Sequence, residues 1–472
     1  MLGFLIKRPL KVVIPSIIVS IAFLATMITG AASYIIASDA LNREAESKLL
    51  ALAESRRSAL TDYLQSIRQE LVIQAENPAV KEMVDKFTTG WLAMQEKQKE
   101  TLQKFYITDN PNDASERYKL LAPEGDASFY SKFHKRFHPW MTKLQQDRGY
   151  YDVFLISADG NVIYTVFKEL DFATNVDTGQ YADSGLGRVF RSVRDNWENG
   201  SLAFDDFSPY EPSYGAAASF IAAPVIEVDG DKRDFLGVLA FQMPVDNINS
   251  VMQQEDGLGE TGETYIVGDD LLMRSNSRFS TEGTILKRRV DSDSVKAALG
   301  GDTGVAEVVN EAGDKLVSAF LPLEFEGTTF AVIAEMSYEE VHAAEAVMRN
   351  WVLGILAVVA LLAALIGITF GRGLTGPISR SVDAMEELAD GNLEVDVNYT
   401  DRPDEIGDIA RASEVFRDNL ARQQKLEEEA EAGRIQRRKR AEQMENAIHH
   451  FETSVSAIQT QLASESEGVR NN

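Results

Sequence analysis

Two apolar runs divide the chain. Residues 12–37 are apolar or small, interrupted only by Pro15 and a few hydroxyl side chains, and residues 351–370 (WVLGILAVVALLAALIGITF) carry no charge. At 1.5 Å per residue, either run is long enough to cross a hydrocarbon core of roughly 30 Å, so each predicts a membrane-spanning helix. Residues 38–77 then place Leu49, Leu50, Leu52, Leu60, Tyr63, Leu64, Ile67 and Leu71 at helical spacing among many charges, as in a stalk continuing the first span. Residues 78–148 read as mostly helical, broken at Asp109-Asn110-Pro111 and Pro123-Glu124-Gly125.

The period changes at Tyr150. YYDVFLISADGNVIYTVF alternates β-branched and aromatic residues around an Asp159-Gly160-Asn161 turn, which predicts a hairpin. A loop rich in Asp, Gly and Tyr spans 171–185. A helix is expected over 186–197, and strands near 201–208, 219–228 and 235–243, giving a mixed unit with an antiparallel sheet. A shorter, loose copy follows: a strand at 264–267, a turn at Gly268-Asp269-Asp270, a strand-like 271–275, a helix at 294–299, and strands near 305–309, 315–321 and 329–336.

Beyond the second apolar run come Arg372 and Arg380, with Pro377 at a helix start. Ile378, Val382, Met385 and Ala389 then recur at alternating four- and three-residue steps, an a/d seam. Gly391-Asn392 ends that helix, Leu393, Val395 and Val397 alternate with polar residues, and a second seam runs through Ile406, Ile409, Ser413, Phe416 and Leu420. Residues 421–472 are charged and small, Pro-free and rich in helix formers, with Gly433 and Gly468 as the strong interruptions. Phe451, Val455, Ile458 and Leu462 form a stripe there, the expected start of a coiled coil.

The segment with Pro377 near the start of one helix, Gly391 at its end and Asp404-Glu405-Ile406-Gly407 opening the next resembles the HAMP domain of bacterial transmembrane receptors. An ordinary helical hairpin below a membrane anchor is the plainer alternative. The long helix followed by two α/β units, with YYDVFLISADGNVIYTVF in the first and GETYIVGDDLLMRS in the second, resembles the double Cache sensor of the same receptors. Together these imply a membrane α+β protein with two transmembrane helices, a periplasmic double Cache (PAS-like) sensor with a long N-terminal helix, a cytoplasmic HAMP parallel helical bundle and the start of a coiled coil. The divisions are 1–11 cytoplasmic, 12–37 first span, 38–346 sensor (distal module about 78–245, membrane-proximal module about 246–340), 347–370 second span, 371–424 HAMP and 425–472 signalling coil. HAMP bundles are built from two chains, so the resemblance implies a homodimer.

Charge sets the orientation. Lys7, Arg8 and Lys11 before the first span, and Arg372 and Arg380 after the second, place both ends in the cytoplasm, so a bacterial inner membrane with the sensor in the periplasm is expected. A secretory signal peptide cleaved near Ala37 competes for the first run, but its apolar core would be only about 7–15 residues long. The net charge of −26 argues against a nucleic-acid partner, which needs clustered Lys and Arg. With no cysteine, the chain has neither a disulfide framework nor a Cys-based metal or redox site.

A sensor of this class holds a small molecule in its distal module, where polar groups converge on an aromatic wall. The candidate ligand residues are Tyr151, Asp152, Tyr164, Lys168, Tyr181, Asp183, Arg188, Asp206, Tyr210 and Phe220; each also has an ordinary turn or packing explanation. The arginine- and tryptophan-bearing motif of amino-acid-binding relatives is not evident. The candidate signal-conversion residues are Pro377, Ile378, Val382, Met385, Gly391, Glu405, Ile406, Ile409, Phe416 and Leu420. His134 and His138 would share a helix face as metal or haem ligands do, yet two ligands are not a site, and Phe133, Phe137 and Trp140 favour packing. His449-His450 lacks the flanking Glu and Pro of a phospho-accepting helix. Gly257-Leu258-Gly259-Glu260-Thr261-Gly262 has dinucleotide-loop spacing but precedes a strand instead of following one, and reads as a linker between modules.

No phosphate loop, zinc-hydrolase helix or nucleophile elbow occurs, so neither cofactor nor catalysis is expected. The leading reading is a methyl-accepting chemotaxis receptor without most of its cytoplasmic signalling domain, acting on a histidine kinase and coupling protein through that missing part. The alternative is the input half of a sensor histidine kinase or nucleotide cyclase. A chain naturally ending at Asn472 would instead be a non-catalytic interaction protein.

Overall fold

The computed structural model describes residues 10–467. Lys7, Arg8 and the closing residues 468–472 lie outside them, as do the side chains of Lys11 and Leu462. The chain divides into two compact units, residues 36–347 and residues 1–35 with 348–472.

In the larger unit, helix α1 (Leu10–Glu76) contributes its second half. Leu49, Ala53, Leu60, Leu64, Ile67, Leu71 and Ala75 are buried along one stripe, which turns a polar helix into a spine for the sheets. Helix α2 (Pro78–Ala93) starts where the Asn77 side chain accepts from the Ala79 N–H and Pro78 stands in the first turn. Helix α3 (Phe129–Arg148) is capped by Ser128 and ended by Gly149 in the left-handed region, φ 72°.

Strands β1 (Asp152–Ser157) and β2 (Val162–Thr165) form the expected hairpin, followed by helix α4 (Gly185–Asn196). Strands β3 (Ala203–Tyr210), β4 (Ala216–Asp229) and β5 (Lys232–Gln242) complete an antiparallel sheet of order β2-β1-β5-β4-β3. β4 and β5 run beyond the stretches read from the sequence, as one long hairpin. Gly237 sits at the irregularity between them, where a Cβ would stand 2.1 Å from the Ile156 carbonyl oxygen. One sheet face packs with α1 through Val153, Leu155, Leu239 and Phe241. The other packs Phe154, Ile156 and Phe220 against Leu186, Val189, Phe190 and Val193 of α4.

Helix α5 (Val245–Met252) leads to the second module: β6 (Glu263–Val267), helix α6 (Asp293–Leu299), β7 (Gly304–Val309), β8 (Lys315–Phe325) and β9 (Thr328–Ser337), in the order β6-β9-β8-β7. Residues 271–275 are not a strand here. Isolated bridges, Val267 to Met273 and Leu272 to Arg289, and backbone hydrogen bonds to Ile266, Leu286, Arg288 and Val290 hold them, while the Arg274 side chain pairs with Asp206 and Asp270.

In the other unit, the first half of α1 lies beside helix α7 (Ala343–Phe370), and a Cβ on Gly367 would meet Val19 and Pro15 at 3.1 and 3.4 Å. Among the described residues these are the two helices long and apolar enough to cross a membrane. Helices α8 (Gly376–Ala389) and α9 (Glu405–Glu467) follow, α9 running through Gly433 without a break. Asp404 caps α9 by accepting from the Gly407 N–H at 3.2 Å. Position 407 admits no side chain, since a Cβ would stand 2.0 Å from the Arg402 carbonyl oxygen. That contact gives the Asp-Glu-Ile-Gly sequence its physical sense.

Candidate ligand site in the sensor

Where β2 ends, the chain turns through Lys168 with a left-handed φ of 58°. That conformation is costly for a residue with a Cβ, so the surroundings must hold it. Lys168 is 1% exposed. Its ammonium donates to the Thr165 carbonyl oxygen and lies 4.2 Å from the Tyr164 ring, 5.1 Å from Phe172 and 5.8 Å from Tyr106. Three aromatic faces around one cation make an aromatic cage.

Carboxylates surround it. Asp152 Oδ1 accepts from the N–H groups of Val153, Val166 and Phe167 at 2.7, 2.8 and 3.2 Å. Tyr210 donates to Asp171 Oδ2 at 2.7 Å, while Tyr151 and Ser213 donate to Glu169 at 2.9 and 2.6 Å. Asp152 Oδ2, Asp171 Oδ1 and Gln242 Oε1 are buried and have no hydrogen-bond partner among the described residues. Burial holds the Asp152 carboxyl far above the usual range and Asp171 up to about 7; it pulls Lys168 down to about 7 against the pull of Asp152 and Asp171. Lys168 and, at Glu169, Arg117 are the cations that act on these acids, and the unpartnered oxygens leave the site short of hydrogen-bond donors.

Tyr151, Ser213 and Gln242 also line a cleft of about 980 Å³, shared with Phe167, Tyr214 and Lys287. The polar cluster therefore has a route outward. On its other side the His134 and His138 rings stack at 4.2 Å. His138 shares a hydrogen bond with the Tyr164 hydroxyl at 2.6 Å and another with the Tyr118 carbonyl oxygen at 2.6 Å; His134 meets the Leu121 carbonyl oxygen at 2.8 Å. Burial, with Lys168 nearby, lowers His138 to about 3, so it is neutral at physiological pH. The pair packs and hydrogen-bonds within the cluster.

Of the ten residues chosen from sequence, Asp152, Tyr164 and Lys168 meet in the cluster, and Tyr151 and Tyr210 join it through Glu169 and Asp171. Phe220 backs Tyr210, ring centroids 4.9 Å apart, and Tyr181 is buried in the covering loop. The other three stand apart. Arg188 forms a two-bond pair with Asp205, at 2.7 Å each, and donates to the Asp183 carbonyl oxygen; Asp206 is bound to Arg274. Sequence reading missed Glu169, Asp171, Ser213 and Gln242. The density of charge in Lys168-Glu169-Leu170-Asp171, directly after a strand, was the available signal for the first two.

In the second unit α8 and α9 touch, burying Pro377, Ser381, Ala384 and Leu388 on one helix and Ile406, Ala410 and Ser413 on the other. Ile378, Val382, Met385, Ile409 and Phe416 remain exposed. Gly391 ends α8 with φ 93°, Glu405 opens α9, and Leu420 is half-buried.

Residues 369–422 match the HAMP domain, so the helix pair beyond α7 is a HAMP domain. Over 426 residues the chain is 26% identical to a protein of Sinorhizobium fredii (strain NBRC 101917 / NGR234) described as a probable chemoreceptor, y4sI; the match covers 90% of this chain and 53% of that protein. The chain thus spans about half the length of this curated relative. Among solved structures, the ligand-binding domain of the Pseudomonas fluorescens chemoreceptor CtaA with L-leucine is 12% identical, with a TM-score of 0.28, covering 59% of this chain and 97% of that one. The Pseudomonas aeruginosa PctB domain with L-Arg is 14% identical, with a TM-score of 0.30, covering 61% and 98%. An extracellular domain assigned to a histidine kinase, vpHK1S-Z8, is 9% identical, with a TM-score of 0.38, covering 65% and 95%.

Proposed function

We propose that this chain is the sensing and converting part of a bacterial chemoreceptor: a non-enzymatic homodimer of the inner membrane whose periplasmic sensor binds a small molecule at the Lys168 cluster. The observation that carries this reading is the order along the chain. An apolar helix, a two-module sensor, a second apolar helix and a HAMP domain follow one another in a chain of which 90% aligns with a probable chemoreceptor. The kinase and coupling protein on which such a receptor acts would engage the portion of the relative that this chain does not span.

The mechanism follows from two arrangements of similar energy. A ligand supplying donors to Asp152 and Asp171 favours the sensor state in which those oxygens are satisfied, and it shifts the equilibrium only by its difference in affinity between states. The exposed residues Ile378, Val382, Met385, Ile409 and Phe416 form the faces a second chain would cover in a parallel four-helix bundle. A charge at Ile406 or Phe416 should bias the packing of that bundle and fix the output while leaving ligand binding in place. To test this, the chain is joined after Leu420 to a chemoreceptor output coil and kinase control is followed. Unchanged ligand responses in both Ile406→Asp and Phe416→Asp would remove the converting role.

A further inference from the structure

The two sensor modules repeat a strand order, β1-β5-β4-β3 and β6-β9-β8-β7. In each, the first residue of the opening strand is a buried acid facing the closing strand: Asp152 opposite Gln242, and Glu263 opposite Glu335. The second pair has nothing to do with the cluster described above, yet it is built alike.

Glu263 and Glu335 lie on the sheet face that Tyr265, Phe320 and Ile333 share with Val295 and Ala298 of α6. Glu335 hydrogen-bonds the fully buried Tyr265 hydroxyl. Glu263 accepts from Ser277 and stands 3.7 Å from Arg288. Next in the cross-strand row is Ser318, opposite Glu335 and 1% exposed, whose hydroxyl has no partner among the described residues. Beside Glu335 lies a cavity of about 340 Å³, walled by Tyr265, Arg288, Asp291, Val309 and Leu316, at the small end of the roughly 300–1,000 Å³ usual for ligand pockets. Of the other charges at this cavity, Arg289 pairs with Asp291, as does Lys296 beside it, Glu311 adds a further carboxylate to the wall, and Arg288 faces both Glu263 and Glu335. Among the described residues Glu335 forms no ion pair of its own and shares Arg288 with Glu263. Burial, then Glu263, pushes its carboxyl up to about 7, so a proton fills the place of a missing cation.

We propose that the membrane-proximal module holds a second ligand site, taking a small organic cation with a primary ammonium group. The ammonium would sit at the Glu335–Glu263 pair, with its three N–H donors, and the carbon skeleton in the cavity beside Val309 and Leu316. Glu335 is two residues from Ser337, which caps the turn leading into α7 by accepting from the Glu340 N–H at 3.1 Å. Occupancy would therefore act on the strand that feeds the second apolar helix, without passing through the distal site.

Titration calorimetry on the full chain in lipid nanodiscs tests the site, with ethylammonium, ethanolammonium and butane-1,4-diammonium chlorides as probes and sodium chloride as the ionic control. A primary ammonium probe should saturate at one per chain, release protons, and bind more weakly as the pH falls through about 7 in the wild-type protein. Glu335→Gln should weaken it about tenfold or more, and Asp152→Asn should leave it unchanged. Absence of saturable binding by every probe, wild-type affinity in Glu335→Gln, affinity independent of pH, or loss of binding in Asp152→Asn would each overturn the proposal. The last result would move the binding to the distal cluster.

Discussion

The Arg274 guanidinium donates to one oxygen of Asp206, Oδ2, through both Nε at 2.9 Å and Nη2 at 2.7 Å. Asp206 belongs to strand β3 of the first module and Arg274 to the second module, and the arginine is only 2% exposed. This buried ion pair joins the two halves of the sensor beside the contact of Phe204 with Phe325 and Phe330, with Asp270 and the Leu272 carbonyl oxygen accepting from Nη1.

Removing one partner strands the other charge in a dry environment. Arg274→Met should lower the stability of the sensor by about 3 kcal/mol, and Asp206→Asn by less, since Asn still offers an acceptor. Thermal melts of the two variants and their double mutant measure the coupling. Additive losses would mean that the pair does not act as one unit.

Glu335 supplies a pH dependence of known sign. Its folded-state pKa, about 7, lies above the ordinary 4.5, so the stability tied to its proton is complete below 4.5 and is lost as the pH rises through about 7. Glu335→Gln should melt higher than wild type above pH 7, by on the order of 3 kcal/mol of stability, and converge with it at acid pH. Parallel melting curves across that range would mean that the carboxyl is not held protonated.

The glycine-rich linker cradles a carboxylate of the chain itself. The Glu260 and Thr261 N–H groups donate to Glu340 at 2.9 and 2.8 Å, and Gly259 has a left-handed φ of 60°. Glu340→Ala should speed hydrogen exchange at the Glu260 and Thr261 amides while strands β6 and β9 keep their protection. Unaltered exchange at those two amides would mean that the carboxylate does not order the loop.

Much of the architecture was legible because burial of one face imposes a period. The leucine stripe of α1 and the β1–β2 hairpin write that period into the sequence, whereas the seam read on α8 stays exposed within the chain, whose buried face there is Ser381, Ala384 and Leu388. The Asp404-to-Gly407 cap was legible because its geometry admits few residues. The ligand cluster was readable only in part. Asp152, Tyr164 and Lys168 stand out as polar residues in or beside apolar strands, whereas Gln242 faces Asp152 only because β1 pairs with β5, a choice of register that no local pattern records. The Glu263–Glu335 pair was hidden for the same reason, and the Arg274–Asp206 pair because it joins segments 68 residues apart.

The exposed faces of the HAMP helices should meet a second copy of the chain. The native sequence has no cysteine, so single replacements report contacts against a clean background. Val382→Cys and Phe416→Cys should cross-link to dimers in membranes under mild oxidation, and Ala384→Cys, buried within its own chain, should not. Equal cross-linking at all three positions would remove the dimer seam.

Kinase control in the chimera joined after Leu420, with growth-medium fractions as the stimulus, bears most directly on ligand sensing at the Lys168 cluster. Asp152→Asn replaces the buried Oδ2, which has no partner among the described residues, by an amide nitrogen and keeps an oxygen to accept from Val153, Val166 and Phe167. The wild-type chimera should show a saturable response. Asp152→Asn should lose it while keeping wild-type basal kinase activity and wild-type amounts in the membrane. A response of wild-type size and sensitivity in Asp152→Asn would contradict a ligand site at this cluster.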